Sequence, residues 1–160
     1  MGIIEDVPIP VLDDDAYEDL DNGAYDAYFF TEVGRSENQF AKLYDAVVKA
    51  IYYVSTYKFR YERSVESLGF AKKQMNIAKD NLNQITDHNK DDITTCFLED
   101  IDVFERLSSI VSDKSQECQS IIDKLNDYKR RIIERNNELA KIKSRAQGYV
   151  YNEVLDMHRQ

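Results

Sequence analysis

Residues 40–85, FAKLYDAVVKAIYYVSTYKFRYERSVESLGFAKKQMNIAKDNLNQI, decide the fold. Every seventh residue from Phe40 is apolar or aromatic: Phe40, Val47, Val54, Tyr61, Leu68, Met75 and Leu82. Three residues behind each come Leu43, Ala50, Tyr57, Ser64, Ala71, Ala78 and Ile85. An apolar a/d pattern sustained over this many heptads specifies a long helix with one narrow seam, because a seven-residue period keeps the same helix face toward a partner. Ser36 followed by Gln39 has the form of a capping box, and Gly34 precedes it as a breaker. The helix is therefore expected over about residues 36–86, roughly 75 Å at 1.5 Å per residue. Gly69 lies inside it, where it permits a bend or a close helix approach.

The second half repeats the period with Phe97, Phe104, Val111, Cys118, Leu125, Ile132, Leu139 and Ala146. Companion positions include Leu107, Ile121, Tyr128, Ile142 and Tyr149. Asp91 or Asp92 is suited to cap this helix, expected over about 92–147, and Gly148 to stop or kink it. Two helices of similar length joined by the polar turn Asp87-His88-Asn89-Lys90-Asp91 imply an antiparallel pair. The expected fold is all-α: an elongated antiparallel two-helix coiled-coil hairpin over residues 35–148, with a tail or short helix over 149–160.

Ahead of the hairpin, residues 1–34 form a different kind of segment. They hold ten acidic residues and no Lys or Arg, while the rest of the chain has twenty acidic and twenty-one basic residues. The formal charge of −9 thus belongs to this arm. Pro8 and Pro10 favour extended chain, because each fixes its own φ and biases the preceding residue away from helix. Asp13, Asp14 and Asp15 then lead into Tyr17, Tyr25, Tyr28, Phe29 and Phe30, with a short helix feasible over 24–33. Acidic residues keep such a segment solvated and aromatic ones give it something to bury, so it either docks on a partner or packs on its own body.

A second apolar set lies off the seam of the first helix: Tyr44, Val48, Ile51, Tyr52, Tyr53 and Phe59, with Phe70 and Ile77 beyond. Two helices alone leave this stripe wet, which marks it as a contact surface for the arm, the tail, another copy or a different protein. Lys124, Lys129, Arg130, Arg131, Arg135, Lys141, Lys143 and Arg145 crowd the last third of the second helix. Antiparallel pairing sets them beside Arg35, Lys42 and Lys49, making a basic end from which the acidic arm emerges. Asp127, Glu134 and Glu138 interrupt the patch, so nucleic acid is not the favoured partner.

Chemistry is not encoded in any recognisable pattern. His88 and His158 are at opposite ends of the hairpin, and no zinc spacing, phosphate-binding glycine loop or nucleophile elbow is present. Asp87-x-Asn89-x-Asp91 opens like a calcium loop. It then places Asp92 where glycine is needed and Leu98 where glutamate is needed, so no metal or cofactor is expected. Cys96 and Cys118 are 22 residues apart on one helix, about 33 Å, too far for a disulfide. There is no apolar run near the ~20 residues of a membrane span and no signal-peptide pattern.

The expectation is a non-enzymatic structural or adaptor subunit of a larger protein assembly, in the cytoplasm or within a virion. Its partner would be a second copy or other subunits. The alternative is an inhibitor or chaperone that engages a basic partner, or a nucleic-acid-binding channel, through the acidic arm.

Overall fold

A computed structural model describes residues 3–10, 24–84 and 89–159, with side chains described for 3–10, 27–84 and 89–148. The chain is all-helical in these stretches apart from residues 3–10. Helix α1 spans Ala24–Leu82 and helix α2 spans Lys90–Arg159. The two pack against each other as an antiparallel hairpin. Among the described residues no helix is long and apolar enough to cross a membrane.

Both helices exceed their expected bounds. Helix α1 begins at Ala24 and runs through Gly34 without a break, so Ser36 is a helix-interior residue and not a cap. Tertiary packing overrides the local signal. Phe29, Val33, Ser36 and Phe40 recur at steps of four, three and four and are all buried. Burial of three large side chains, each contributing about 1.5–3 kcal/mol, outweighs the ~1 kcal/mol cost of one helical glycine. Val33 is seven residues before Phe40, so the heptad extends upstream of the expected start. The segment 24–34 is thus part of α1. Helix α2 likewise passes through Gly148 and continues to Arg159 in place of a separate tail.

At the turn, α1 ends in tighter hydrogen bonds, Asn83 N–H to the Asp80 carbonyl (3.2 Å) and Gln84 N–H to the Asn81 carbonyl (3.1 Å). Lys90 Nζ donates to the Asn83 carbonyl oxygen at 3.3 Å, satisfying an acceptor that the helix end leaves orphaned. Asp91 and Asp92 fall in the first turn of α2, where they favour the positive end of the helix dipole without occupying the cap position. Asn89 immediately precedes the helix, and its carbonyl accepts from Ile93 N–H at 3.1 Å.

The chain divides into two compact units. The first joins Met1–Ala50 to Leu125–Gln160 and has three layers among its described residues: α1, α2 and the segment 3–10. Its core is Ile4, Val7, Phe29, Val33, Phe40, Val47, Ile132, Leu139 and Ala146. Antiparallel pairing is fixed by Lys143 Nζ on Glu37 Oε1 at 2.9 Å. The second unit, Ile51–Lys124, has only the two helices, paired in the same sense by Lys72 Nζ on Glu105 Oε1 at 2.7 Å. Here Val54, Tyr61, Leu68, Met75 and Leu82 reach only intermediate burial.

Some companion positions in the second unit differ from the expected ones, while Ala71 and Ala78 are half-buried as expected. In α2 the shielded residues follow the Phe97–Phe104–Val111–Cys118 series by four residues, not three: Ile101, Ser108, Ser115 and Ile122 are buried or half-buried, while Leu107 and Ile121 are exposed. In α1, Ser64 and Tyr57 are exposed and Val65 is shielded. A 3.6-residue helix alternates steps of three and four, and either can follow a given heptad position. Gly69 does not mark a close approach, since a Cβ built there meets nothing within 4 Å.

Candidate functional site

The acidic end of the chain is partly a structural strap. Ile4 and Val7 are buried in the first unit, and Val7 closes a turn with its N–H on the Ile4 carbonyl (3.3 Å). Ile4 N–H donates to Tyr128 Oη at 3.3 Å. The Ser36 hydroxyl donates to the Pro8 carbonyl, and Glu5 forms an ion pair with Arg131. Residues 3–10 lie against the first unit, and residues 11–23 of the arm are outside the described residues. Pro8 lies outside helix and strand, so its carbonyl has no regular backbone partner, and the buried Ser36 hydroxyl meets it.

The aromatic residues of the arm part company. Phe29 is buried in the core. Phe30 is half-buried, meeting Phe29 edge-on at 5.5 Å between ring centroids. Tyr28 is exposed. Asp13, Asp14, Asp15 and Tyr17 lie outside the described residues, as does the side chain of Tyr25.

Several basic residues of α2 have partners close by. Arg130 bridges Asp127 (2.7 Å) and Glu134 (2.6 Å), which hold its guanidinium above the ordinary arginine value, the Asp127 hydrogen bond contributing most. Arg131 pairs with Glu5, Arg135 with Glu138 (3.2 Å) and Lys143 with Glu37. The Lys129 ammonium sits 5.8 Å from the centroid of the Tyr44 ring, a cation–π contact. On the α1 side, Arg35 pairs with Glu32 (2.9 Å) and Lys49 with Asp45 (2.8 Å). Lys42, Lys124 and Lys141 are exposed. An open groove of about 810 Å³ is lined by Phe40, Tyr44, Ile132, Ile133, Asn136 and Lys143, among others.

The off-seam residues of α1 in the second unit are exposed as their spacing implies. Tyr52 is 70% exposed, Tyr53 63% and Phe59 57%, whereas Ile51 is half-buried. Tyr52 and Tyr53 meet edge-to-face at 5.9 Å. The guanidinium of Arg63 lies 5.8 Å from the Phe59 ring centroid, and that of Arg60 5.7 Å from the Tyr57 ring centroid. Tyr44, at 38% exposed, belongs to the first unit. Among the described residues no group of His, Cys, Asp and Glu is placed to hold a metal ion.

The sequence reading missed Ile4, Val7, Pro8 and Tyr128 as a docked set. Its signal was the run Ile3-Ile4-x-x-Val7-x-Ile9, apolar residues ahead of an acidic stretch that needs none of them for solubility. Compared with family models, curated proteins and solved structures, the chain matches none.

Proposed function

We propose that this chain is a non-catalytic structural or adaptor subunit of a larger protein assembly, such as a virion or a secretion apparatus. The helical hairpin serves as a strut, and the residues around Asp13, Asp14 and Asp15 serve as a docking segment. The observation that carries this reading is the exposure of Tyr52, Tyr53 and Phe59 within eight residues of one helix. Three large aromatic side chains left wet on one stretch of helix mark a contact surface, since burying each releases on the order of 1.5–3 kcal/mol. Aromatic residues of this kind dominate binding energy where they enter a partner's pocket.

The test is affinity capture from cells that encode the chain, read by mass spectrometry. It compares the full chain, a Tyr52→Ser/Tyr53→Ser/Phe59→Ser variant, and an Asp13→Asn/Asp14→Asn/Asp15→Asn variant. The expected result is one multi-subunit complex recovered by the full chain and lost with the aromatic variant. Loss of a basic partner from the acidic variant alone, with salt-sensitive binding, would replace this reading with an inhibitor or chaperone acting through its carboxylates. Recovery of no partner by the full chain would overturn both.

A further inference from the structure

The two units differ in how well their seams are closed. In the first, residues 3–10 lie over the helix pair and ten described residues are buried. In the second, no third element is present among the described residues. Only Ile101, Cys118 and Ile122 fall below a tenth exposed, and from Ile51 to Leu82 no residue does. Two helices shield each other along one line, and a dry core needs a further layer.

One face of the second unit shows where that layer belongs. Its open groove, about 420 Å³, is lined by Arg63, Ser64, Ser67 and Leu68 of α1 and by Leu107 and Val111 of α2. Small Ser64 and Ser67 make the floor low on the α1 side, and the Ser64 hydroxyl is satisfied by the Arg60 carbonyl at 3.0 Å. The α2 side stands proud. Val103, Leu107, Ile110 and Ile121 are spaced i, i+4, i+7 and i+18, so they line one helical stripe, and all are exposed. Leu107 is 43% exposed, Ile110 56% and, on α1, Tyr57 54%. Tyr57, Ser64, Leu107 and Ile121 are residues that the heptad period marks as seam. They are patterned for burial, and the hairpin alone leaves them wet.

Charge selects what covers them. Between Ile51 and Leu82, α1 carries six cations against three acids; between Lys90 and Lys124, α2 carries nine acids against four cations. The unit is thus net basic along α1 and net acidic along α2, with Arg63 of α1 at the groove itself. A uniformly charged partner would be repelled by one of the two. A second copy related by a two-fold axis running along the helices sets α1 of each chain against α2 of the other and matches both.

We propose that the second unit pairs face to face with the same unit of another copy. The resulting four-helix bundle covers Leu107, Ile110 and Tyr57, with Arg60 and Arg63 of each chain turned toward the acidic α2 of its partner. This rests on the reading of the chain as an assembly subunit and names its first partner.

Sedimentation equilibrium of the full chain at micromolar concentration tests it, against a Leu107→Lys/Ile110→Lys variant and an Arg60→Glu/Arg63→Glu variant. These sites are on the surface, and helicity by circular dichroism establishes that each variant folds. The expected mass is twice the 18.7 kDa of one chain, with each variant weakening self-association at least about ten-fold, or ~1.4 kcal/mol. A wild-type monomer overturns the proposal, and so does a dimer indifferent to both variants. A monomer that still enters a larger complex through Tyr52, Tyr53 and Phe59 overturns this pairing and leaves the adaptor reading standing. A monomer that captures nothing overturns both.

Discussion

The hydroxyl of Ser36 donates a hydrogen bond to the carbonyl oxygen of Pro8, twenty-eight residues earlier. Ser36 is the one buried polar side chain in the core of the described residues, and this bond is what makes its position in mid-helix tolerable. Removing the hydroxyl takes a protein partner from the carbonyl of Pro8, an exposed residue, and leaves a small void in the core where Ser36 was buried. Ser36→Ala should cost about 1–3 kcal/mol, read as a lower urea midpoint with an unchanged slope. No change in midpoint would mean that water replaces the serine.

The strap itself contributes through Ile4 and Val7. Truncation of a buried isoleucine to alanine costs about 2–5 kcal/mol, and the lower end applies where a short surface segment can readjust. Ile4→Ala should therefore destabilise the full chain by about 2 kcal/mol, and a chain beginning at Arg35 by more. Loss of amide-exchange protection at residues of the first unit is the measurement. Ile3→Ala, at an exposed neighbour, is the control and should be nearly silent.

Lys49 and Asp45 offer a pH-dependent readout. The Asp45 carboxylate, first by its hydrogen bond and then by its charge, holds the Lys49 ammonium above the ordinary lysine value. A raised folded-state value means that any stabilisation is fully present at neutral pH and is lost only as pH climbs through the folded value, in the alkaline range. The pair is solvent-exposed, so stability should hardly respond. Asp45→Asn should instead return the Lys49 titration, followed by NMR, toward that of a free lysine. An unmoved titration would show that the pair does not persist in solution.

Gly69 sits exposed inside α1, and a β-carbon added to it would meet nothing within 4 Å. Gly69→Ala should stabilise the helix by about 0.5–1 kcal/mol, raising the thermal midpoint. Destabilisation there would reveal a contact partner over that face.

The two cysteines should differ in reactivity. Cys96 is exposed and Cys118 buried. A thiol reagent should modify one equivalent rapidly and the second only on unfolding, with Cys96→Ser removing the fast phase. Equal rates would mean that α2 opens readily around Cys118.

Much of the architecture was legible in residues 40–82 and 97–146. A seven-residue apolar period is a local property of the chain, and every residue of the two leading series is shielded, from Phe40 through Leu82 and from Phe97 through Ala146. The exposed set at Tyr52, Tyr53 and Phe59 was legible for the same reason, since residues off the seam of a helix pair have nothing to meet. The start of α1 was misplaced because Gly34 and Ser36 carry strong local stop and start signals, and the packing that overrides them lies on another helix. The basic end was legible as a series of cations. The pairing of Arg131 with Glu5 and of Lys143 with Glu37 was not, because those partners come from distant parts of the chain.

By itself, then, the sequence determined two helices with a seam, their antiparallel sense, and the segregation of charge. Each of these follows from periodicity, from the short polar turn, or from composition. Only the tertiary structure decided that residues 3–10 form a third layer, that Ser36 faces Pro8, and that four-residue steps, not three, carry the seam past Ile101 and Ile122. Those outcomes depend on which of two neighbouring side chains finds a surface to bury against. That surface is supplied by residues tens to more than a hundred positions away.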